Sequence, residues 1–203
     1  MQTCSRRSAK SLLMLLAILL CCEFVIRVIL EVRECRAVQC RFGGFTVMRL
    51  LPLINDLAPL PEMREEPKVS KFVEMHEQAH SKMHHGILRN LVKVAFALCA
   101  IWLMAALMVR WEQSFVEAVL WLHLVAIPFR TFFHFYCWNQ EYECDRYALE
   151  KTDKKVAKFA MQELARCEIP HTALFSLIYR EHPTVALRSK RILNKPIVNP
   201  ATK

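Results

Sequence analysis

The chain has 203 residues, 54% of them hydrophobic, and its mean hydropathy of +0.19 is high for a soluble enzyme. Only 3 glycines accompany the 9 prolines, which argues against a turn-rich β sandwich or barrel and favours helices. A net charge of +9 suits either nucleic-acid binding or a membrane protein with basic flanks. Because no nucleic-acid-binding motif and no basic stripe with interleaved aromatic residues occurs, we expect a mainly α-helical membrane protein without a nucleic-acid partner.

The 9 cysteines do not indicate a disulfide framework, because their number is odd and no Cys-x-x-Cys pair occurs. Cys21, Cys22, Cys99 and Cys137 lie in apolar runs, and Cys144 lies beside acidic residues. We expect free thiols on the reducing side of a membrane.

The first apolar segment covers residues 12–30 and follows three basic residues. Its first part, 12–22, has the length of a signal-peptide core, but the whole segment reaches about 19 residues, close to the roughly 20 that span a bilayer. Glu23 and Arg27 interrupt it four residues apart, so they share one helical face and can neutralise each other. Since no small-residue cleavage site follows, residues 1–30 are predicted to be an uncleaved membrane anchor.

Residues 31–69 are polar, carry balanced charges and form a predicted connecting region. Gly43-Gly44 could open a short strand, a small β element before the next helix. The apolar stretch that follows is broken by prolines, which favours a loop or re-entrant piece; a second membrane crossing over 42–60 is the alternative. A helical pattern then begins at Ser70, a suitable N-cap residue.

Two long apolar runs, 91–109 and 115–138, are separated by a five-residue turn. They predict a transmembrane helical hairpin over 91–138. The second run contains polar residues, which inside a membrane span are functional candidates: Glu117, His123, Arg130 and His134. The residues after the hairpin are soluble in character, and 193–203 form a C-terminal tail.

Residues 76–80 read His-Glu-Gln-Ala-His, an H-E-x-x-H motif. On a helix, positions i and i+4 place the imidazoles of His76 and His80 on one face, where they can share a metal ion. Glu77 then points at the metal-bound water and can accept its proton. A pair of surface histidines that match the pattern by chance is the alternative.

A third protein ligand has several candidates. The longer metzincin motif is excluded, because its glycine and third histidine are missing here. His84 and His85 are rivals close to the motif. Glu141 and Asp145 lie four residues apart after the hairpin, so Glu141 can bind the metal while Asp145 orients a ligand histidine. The predicted hairpin returns the chain to the membrane face from which it started, which brings Glu141 to the same side as the H-E-x-x-H motif.

The order of these motifs resembles the membrane gluzincins, which include the HtpX-type quality-control proteases and the CAAX prenyl-protein endopeptidases. The resemblance covers about residues 70–192, the predicted peptidase core. It is carried by the H-E-x-x-H motif, the hairpin, Glu141-x-x-x-Asp145, and His182-Pro183 followed by Arg188. The histidine at position 85 also matches the prenyl endopeptidase pattern. The E-x-x-C-D sequence of residues 141–145 is similar to that of the β-lactam-sensor metallopeptidases.

The resemblance implies an integral membrane gluzincin whose zinc-binding helices flank the hairpin, with one zinc ion per chain. Its implied protein ligands are His76, His80 and Glu141. The other implied site residues are Glu77 as general base, Asp145 as the partner of a ligand histidine, and Arg188 in the lining of the site. His182 could donate a hydrogen bond to the oxyanion, or simply cap a helix.

The function expected from these residues is that of a membrane-bound zinc metalloendopeptidase acting on a peptide or protein, a membrane protein being one candidate. Two alternatives stay open: a regulatory sensor protease that cleaves one partner, and an inactive, zinc-stabilised membrane scaffold. Glu77 argues against the scaffold, because a structural site needs no carboxylate between its histidines.

The orientation of the chain in the membrane is indicated by the basic residues that flank the hairpin, because its turn contains one basic residue, Arg110. Cytoplasmic loops carry an excess of lysine and arginine, so the active site is expected to face the cytoplasm. A single earlier span would then leave the N-terminal basic residues outside, unless 42–60 adds a crossing or the basic residues after the anchor outweigh them.

Overall fold

A computed structural model describes residues 2–37, 62–194 and 196–197. The predicted strand at Gly43-Gly44, the alternative crossing over 42–60 and most of the C-terminal tail lie outside these residues. The described part contains seven helices and no strand, as the prediction of a mainly α fold requires. These helices are α1 (Gln2–Ala37), α2 (Lys71–Lys82), α3 (His85–Arg110), α4 (Phe115–Lys151), α5 (Lys154–Cys167), α6 (Ala173–Tyr179) and α7 (Val185–Leu193).

Three helices are long and apolar enough to cross a membrane: the part of α1 from Ala9 to Ala37, α3 and α4. They correspond to the predicted anchor and to the two arms of the predicted hairpin. The helices extend beyond the apolar runs, since α3 begins at His85 and α4 continues to Lys151. No glycine or proline breaks the chain between 139 and 151, so the helix continues into polar sequence.

The described residues divide into two compact units, the first of which holds residues 2–33 and 90–129. Many of its apolar side chains are exposed, such as those of Ile101 and Trp102, as expected of a surface that faces lipid. Glu23 and Arg27 form the predicted ion pair. His123 joins the pair, with its Nε2 3.6 Å from the Glu23 carboxylate. These three polar groups within the apolar segments therefore lie together, as membrane burial favours.

The turn of the hairpin is stabilised by a capping box. The backbone N–H of Ser114 donates to Glu117 over 2.7 Å, and the Glu117 N–H donates to the Ser114 hydroxyl over 3.3 Å. These reciprocal bonds satisfy N–H groups at the start of α4 that have no partner within the helix. Glu117 therefore caps the start of α4.

The second unit holds residues 34–37, 62–89 and 130–194. Its core lies where α5 packs against α2 and α7. The buried side chains there include Phe72, Ala157, Met161, Leu164 and Val185. Ser70 caps α2 as predicted, with its hydroxyl accepting from the N–H of Val73. The helix that carries the H-E-x-x-H motif is thus anchored both at its N-terminus and along its buried face.

Residues 62–64 pair with 167–169 through an isolated antiparallel bridge between Met63 and Glu168. The N–H of Arg64 donates to the carbonyl of Cys167, and the N–H of Ile169 donates to that of Glu62, each over 2.9 Å. Two such bonds are too few for a strand. They nevertheless hold the segment before α2 against the end of α5.

Among the cysteines whose side chains the structure describes, one departs from the prediction of free thiols. The side chains of Cys21, Cys22, Cys99, Cys137, Cys144 and Cys167 are not disulfide-bonded. Cys35 is disulfide-bonded, which was not expected. The expectation came from cysteines in apolar runs, whereas Cys35 lies in the polar last turn of α1.

Candidate metal centre

Helix α2 presents the two motif histidines toward one point. Phe72 and Ala79 are fully buried and fix which face of the helix meets the core. His76 and His80 are four residues apart, and their Nε2 atoms lie 3.2 Å from each other. Glu77, between them, is exposed and lines the adjacent cavity.

A break between α2 and α3 follows directly after the motif. Met83 ends α2, and His84 has a φ of 56°, in the left-handed region that a non-glycine residue rarely adopts. The chain therefore leaves the axis of α2 before it enters the hairpin. His84 is exposed, whereas His85 is buried at the start of α3.

Glu141 reaches the histidine pair from α4. Its Oε2 lies 3.2 Å from Nε2 of His76, and its Oε1 lies 3.3 Å from Nε2 of His80. A tetrahedral zinc ion with Zn–N bonds of about 2.0–2.1 Å has ligand atoms roughly 3.3 Å apart. The spacing and chemistry of these three donors therefore fit a zinc ion. Of the ligand-type groups in the described part of the chain, His76, His80 and Glu141 form one of two sets that could hold a metal.

Asp145 contacts the ring nitrogen of His76 that faces away from His80 and Glu141. The Nδ1 atom of His76 lies 3.0 Å from Oδ1 of Asp145, so Nδ1 donates to that carboxylate, and in the neutral ring Nε2 has a free lone pair. Burial favours the neutral ring, but the hydrogen bonds to Asp145 and Glu141 outweigh it and raise the pKa of His76. The surroundings of His76 thus stabilise a positive charge.

Arg188 from α7 binds Asp145 through two hydrogen bonds. Its Nη2 donates to Oδ1 over 2.6 Å, and its Nε donates to Oδ2 over 2.9 Å. Both residues are buried, with Arg188 8% exposed and Asp145 fully covered. The neighbouring carboxylate also raises the pKa of Arg188 against the effect of burial. Arg188, predicted to line the site, is thus bonded to the same carboxylate that holds His76. It also lines the cavity beside the candidate metal centre.

One partner of Glu141, Arg89, was not identified from the sequence. Arg89 donates from Nη2 to Oε1 of Glu141 over 2.9 Å and from Nε to the side-chain oxygen of Gln140 over 2.7 Å. The only sequence signal was indirect: Arg89 follows His85 by four residues, so both lie on one face of α3 near its start. No spacing rule links that face to Glu141, 52 positions further along the chain.

His182 lies at the edge of the same group. Its Nδ1 is 2.9 Å from the carboxylate of Glu62, and its Nε2 is 3.6 Å from Oε1 of Glu141. The hydrogen bond to Glu62 raises the pKa of His182, which favours its protonated form. Thr184 caps α7, so helix capping by His182, the alternative to an oxyanion role, is wrong.

A cavity of about 540 Å³ lies beside the candidate metal centre, and its lining includes His76, Glu77, His80, Glu141 and His182. Its wall carries the carboxylates of Glu62, Glu77, Glu141 and Glu168, and the cationic groups of Arg89, Arg180, His182 and Arg188. Apolar side chains such as Phe72 and Leu164 complete the lining. The cavity thus combines an apolar surface with a few convergent polar groups, as binding sites for small segments of substrate do.

The remaining histidines near the motif have other contacts. His134 Nδ1 lies 3.0 Å from the carbonyl oxygen of Leu177. His85 lies beside His80 and Cys144, and these three residues form the second set of ligand-type groups in the described part. Neither His84 nor His85 belongs to the set that contains Glu141.

The sequence model of Peptidase family M48 matches residues 57–195. The chain belongs to this peptidase family. The match covers more than half of the chain and includes all the residues of the candidate metal centre. M48 membership indicates a metallopeptidase, in agreement with the resemblance to membrane gluzincins. No curated protein and no solved structure matches the chain.

Proposed function

We propose that this M48 chain is a membrane-bound zinc metalloendopeptidase, with one zinc ion held by His76, His80 and Glu141. The observation that carries the proposal is the convergence of three ligand-type groups on the wall of a cavity: the Nε2 atoms of His76 and His80 lie 3.2 Å apart, and the two oxygens of Glu141 lie 3.2 Å from the first and 3.3 Å from the second. When both rings are neutral, Nε2 of His76, Nε2 of His80 and the Glu141 carboxylate each offer a lone pair at this point, so a cation there would be bound by all three residues at once. Asp145 strengthens this reasoning, because it takes up the other nitrogen of His76.

Zinc at this position would act as a Lewis acid that activates a water molecule and polarises the peptide carbonyl. Glu77 is the general base: its carboxylate lies in the cavity wall, one residue from the ligand His76, and accepts the proton of the attacking water. His182, kept protonated by Glu62, donates to the oxygen that becomes negative in the tetrahedral transition state. Arg89 holds the orientation of Glu141 by donating to Oε1, the oxygen that faces His80.

The membrane part of the proposal rests on the three apolar helices. The two helices of the hairpin return the chain to the side of α2, and the basic residues around the hairpin favour the cytoplasm for the catalytic residues. The substrates are peptides or proteins, membrane proteins among them. The regulatory sensor and the inactive scaffold are the competing functions.

The test compares the purified full-length chain with Glu77→Gln and His80→Ala in detergent micelles. We expect about one zinc per chain in the wild type and in Glu77→Gln, and little zinc in His80→Ala, measured by elemental analysis. Hydrolysis of a casein-like substrate should fall by at least 100-fold in Glu77→Gln. Equal hydrolysis by wild type and Glu77→Gln at matched zinc content would leave the scaffold as the better description. Retention of stoichiometric zinc by His80→Ala would refute the ligand assignment.

A further inference from the structure

His85, the first residue of α3, has a buried ring, with only 2% of the residue exposed. Its Nδ1 lies 3.0 Å from Nδ1 of His80, and the two ring planes meet at 78°. The other nitrogen of His80, Nε2, faces His76 and Glu141. The two nitrogens of His80 therefore face two different sets of partners.

We propose that His85 is a positioning residue of the metal centre, whose Nδ1 accepts the Nδ1 proton of His80 and so fixes the tautomer and orientation of that ring. The inference rests on the proposed function, since it takes Nε2 of His80 as a ligand atom. A neutral imidazole that binds a metal through Nε2 carries its proton on Nδ1. The group that faces this proton must be an acceptor, and Nδ1 of His85 occupies that place.

The tautomer that this role requires of His85 is consistent with its other contact. If Nδ1 accepts, the ring proton lies on Nε2, and that atom is 3.8 Å from the carboxylate of Glu143. Glu143, His85 and His80 then form a chain of partners that ends at the metal centre. Asp145 does the same for His76. Each ligand histidine thus has its own outer partner, as metal-binding histidines generally do.

Cys144 offers a competing explanation, because its Sγ lies 3.4 Å from the same nitrogen of His85. The ligand atoms of His80, His85 and Cys144 are close enough to hold a second metal ion. That arrangement would require His80 to lose both ring protons and bridge two cations. The hydrogen-bonded arrangement needs only a neutral ring, and the thiol, a weak donor, competes poorly with the His80 N–H for the single lone pair of that nitrogen.

The experiment uses the full-length chain in detergent and measures zinc affinity by competition with a chelator, together with the visible spectrum after cobalt substitution. We expect His85→Ala to bind zinc about 10–100-fold more weakly and to shift the cobalt spectrum. His85→Asn should recover most of the affinity, because its side-chain oxygen can accept the His80 proton. His84→Asn is the matched control, since His84 is the exposed neighbour and asparagine tolerates its left-handed backbone.

Equal helicity of all variants by circular dichroism separates a local effect from unfolding. Wild-type affinity and an unshifted cobalt spectrum in His85→Ala would overturn the positioning role. Two zinc ions per chain that fall to one in both His85→Ala and Cys144→Ala would overturn it in favour of a second metal site. Absence of zinc from the wild type, or its retention by His80→Ala, would instead overturn the proposed function, and this role with it.

Discussion

Buried charges in the second unit occur in bonded sets rather than singly. Arg188 and Asp145 form a two-pronged ion pair in which neither residue is more than 8% exposed. A buried pair of this kind adds little net stability compared with apolar residues, but loss of one partner leaves a charge without compensation. Its value here is geometric, because Asp145 also holds the ring of His76.

The ion pair leads to a prediction about single and double variants. Arg188→Met should destabilise the metal-free chain by about 3–5 kcal/mol, because the buried Asp145 carboxylate loses the guanidinium that pairs with both of its oxygens and keeps only its bond to His76. The double variant Asp145→Asn with Arg188→Met should recover a large part of that loss, as measured by thermal unfolding in detergent. Additive losses in the double variant would contradict a coupled pair. Activity should stay low in the double variant, since His76 lacks its carboxylate.

Helix ends contribute to the geometry around the candidate site. His84, with its left-handed backbone, separates the end of α2 at Met83 from the start of α3 at His85. Arg89 follows one turn into α3, where it contacts Glu141. At another such end, Glu168 follows α5 and accepts the backbone N–H of Val185 at the first turn of α7. This bond links the bridge of residues 62–64 with the helix that carries Arg188.

The buried carboxyl of Glu168 should make the thermal stability of the protein depend on pH. Burial raises the pKa of its carboxyl from 4.5 to about 7, against the lowering effects of the Val185 N–H, Arg180 and Arg188, and Glu62 raises it further. The folded state therefore binds this proton more tightly than the unfolded state. Its contribution to stability is complete below about pH 4.5 and is lost as the pH rises through about 7.

The expected result is that wild type loses thermal stability relative to Glu168→Gln as the pH rises from about 4.5 to about 7. Glutamine keeps an acceptor for Val185 but has no proton to lose. Glu150→Gln is the control, because Glu150 is exposed on α4 and should leave the pH profile of the wild type unchanged. Parallel profiles for wild type and Glu168→Gln would show that the carboxyl titrates at its ordinary pKa.

At the scale of the whole molecule, the question is which side of the membrane holds the catalytic residues. The end of α1 belongs to the second unit, where Glu34 accepts from the N–H and hydroxyl of Thr172. The positive-inside rule favours the cytoplasm for this unit. The disulfide at Cys35, in the same unit, is instead typical of an oxidising compartment.

Labelling of added cysteines in intact cells tests the orientation. With the native exposed cysteines replaced, Glu112→Cys in the turn of the hairpin should react with a membrane-impermeant maleimide. Lys154→Cys, at the start of α5, should react only after permeabilisation, because it follows the hairpin on the opposite side. The reverse pattern would place the catalytic residues in the compartment that favours the Cys35 disulfide. Residues 112 and 154 are both exposed, so a failure to react would reflect the membrane and not burial of the added cysteine in the protein.

The sequence alone determined the features that depend on local periodicity. Apolar runs of sufficient length predicted the three long helices. Ser70 marked the start of α2, and the spacing of His76 and His80 placed both rings on one face of that helix. The exact ends of α3 and α4 were missed, because polar residues without glycine or proline continue a helix as readily as they end it.

Only the tertiary structure decided which distant groups meet. The sequence left His84, His85 and Glu141 as competing partners of the histidine pair, and it gave no indication that Arg89 contacts Glu141. The left-handed turn at His84 separates α2 from α3, and the return of α4 brings Glu141 within 3.3 Å of both rings. Such contacts depend on how whole helices pack, which side-chain spacing along one helix does not specify.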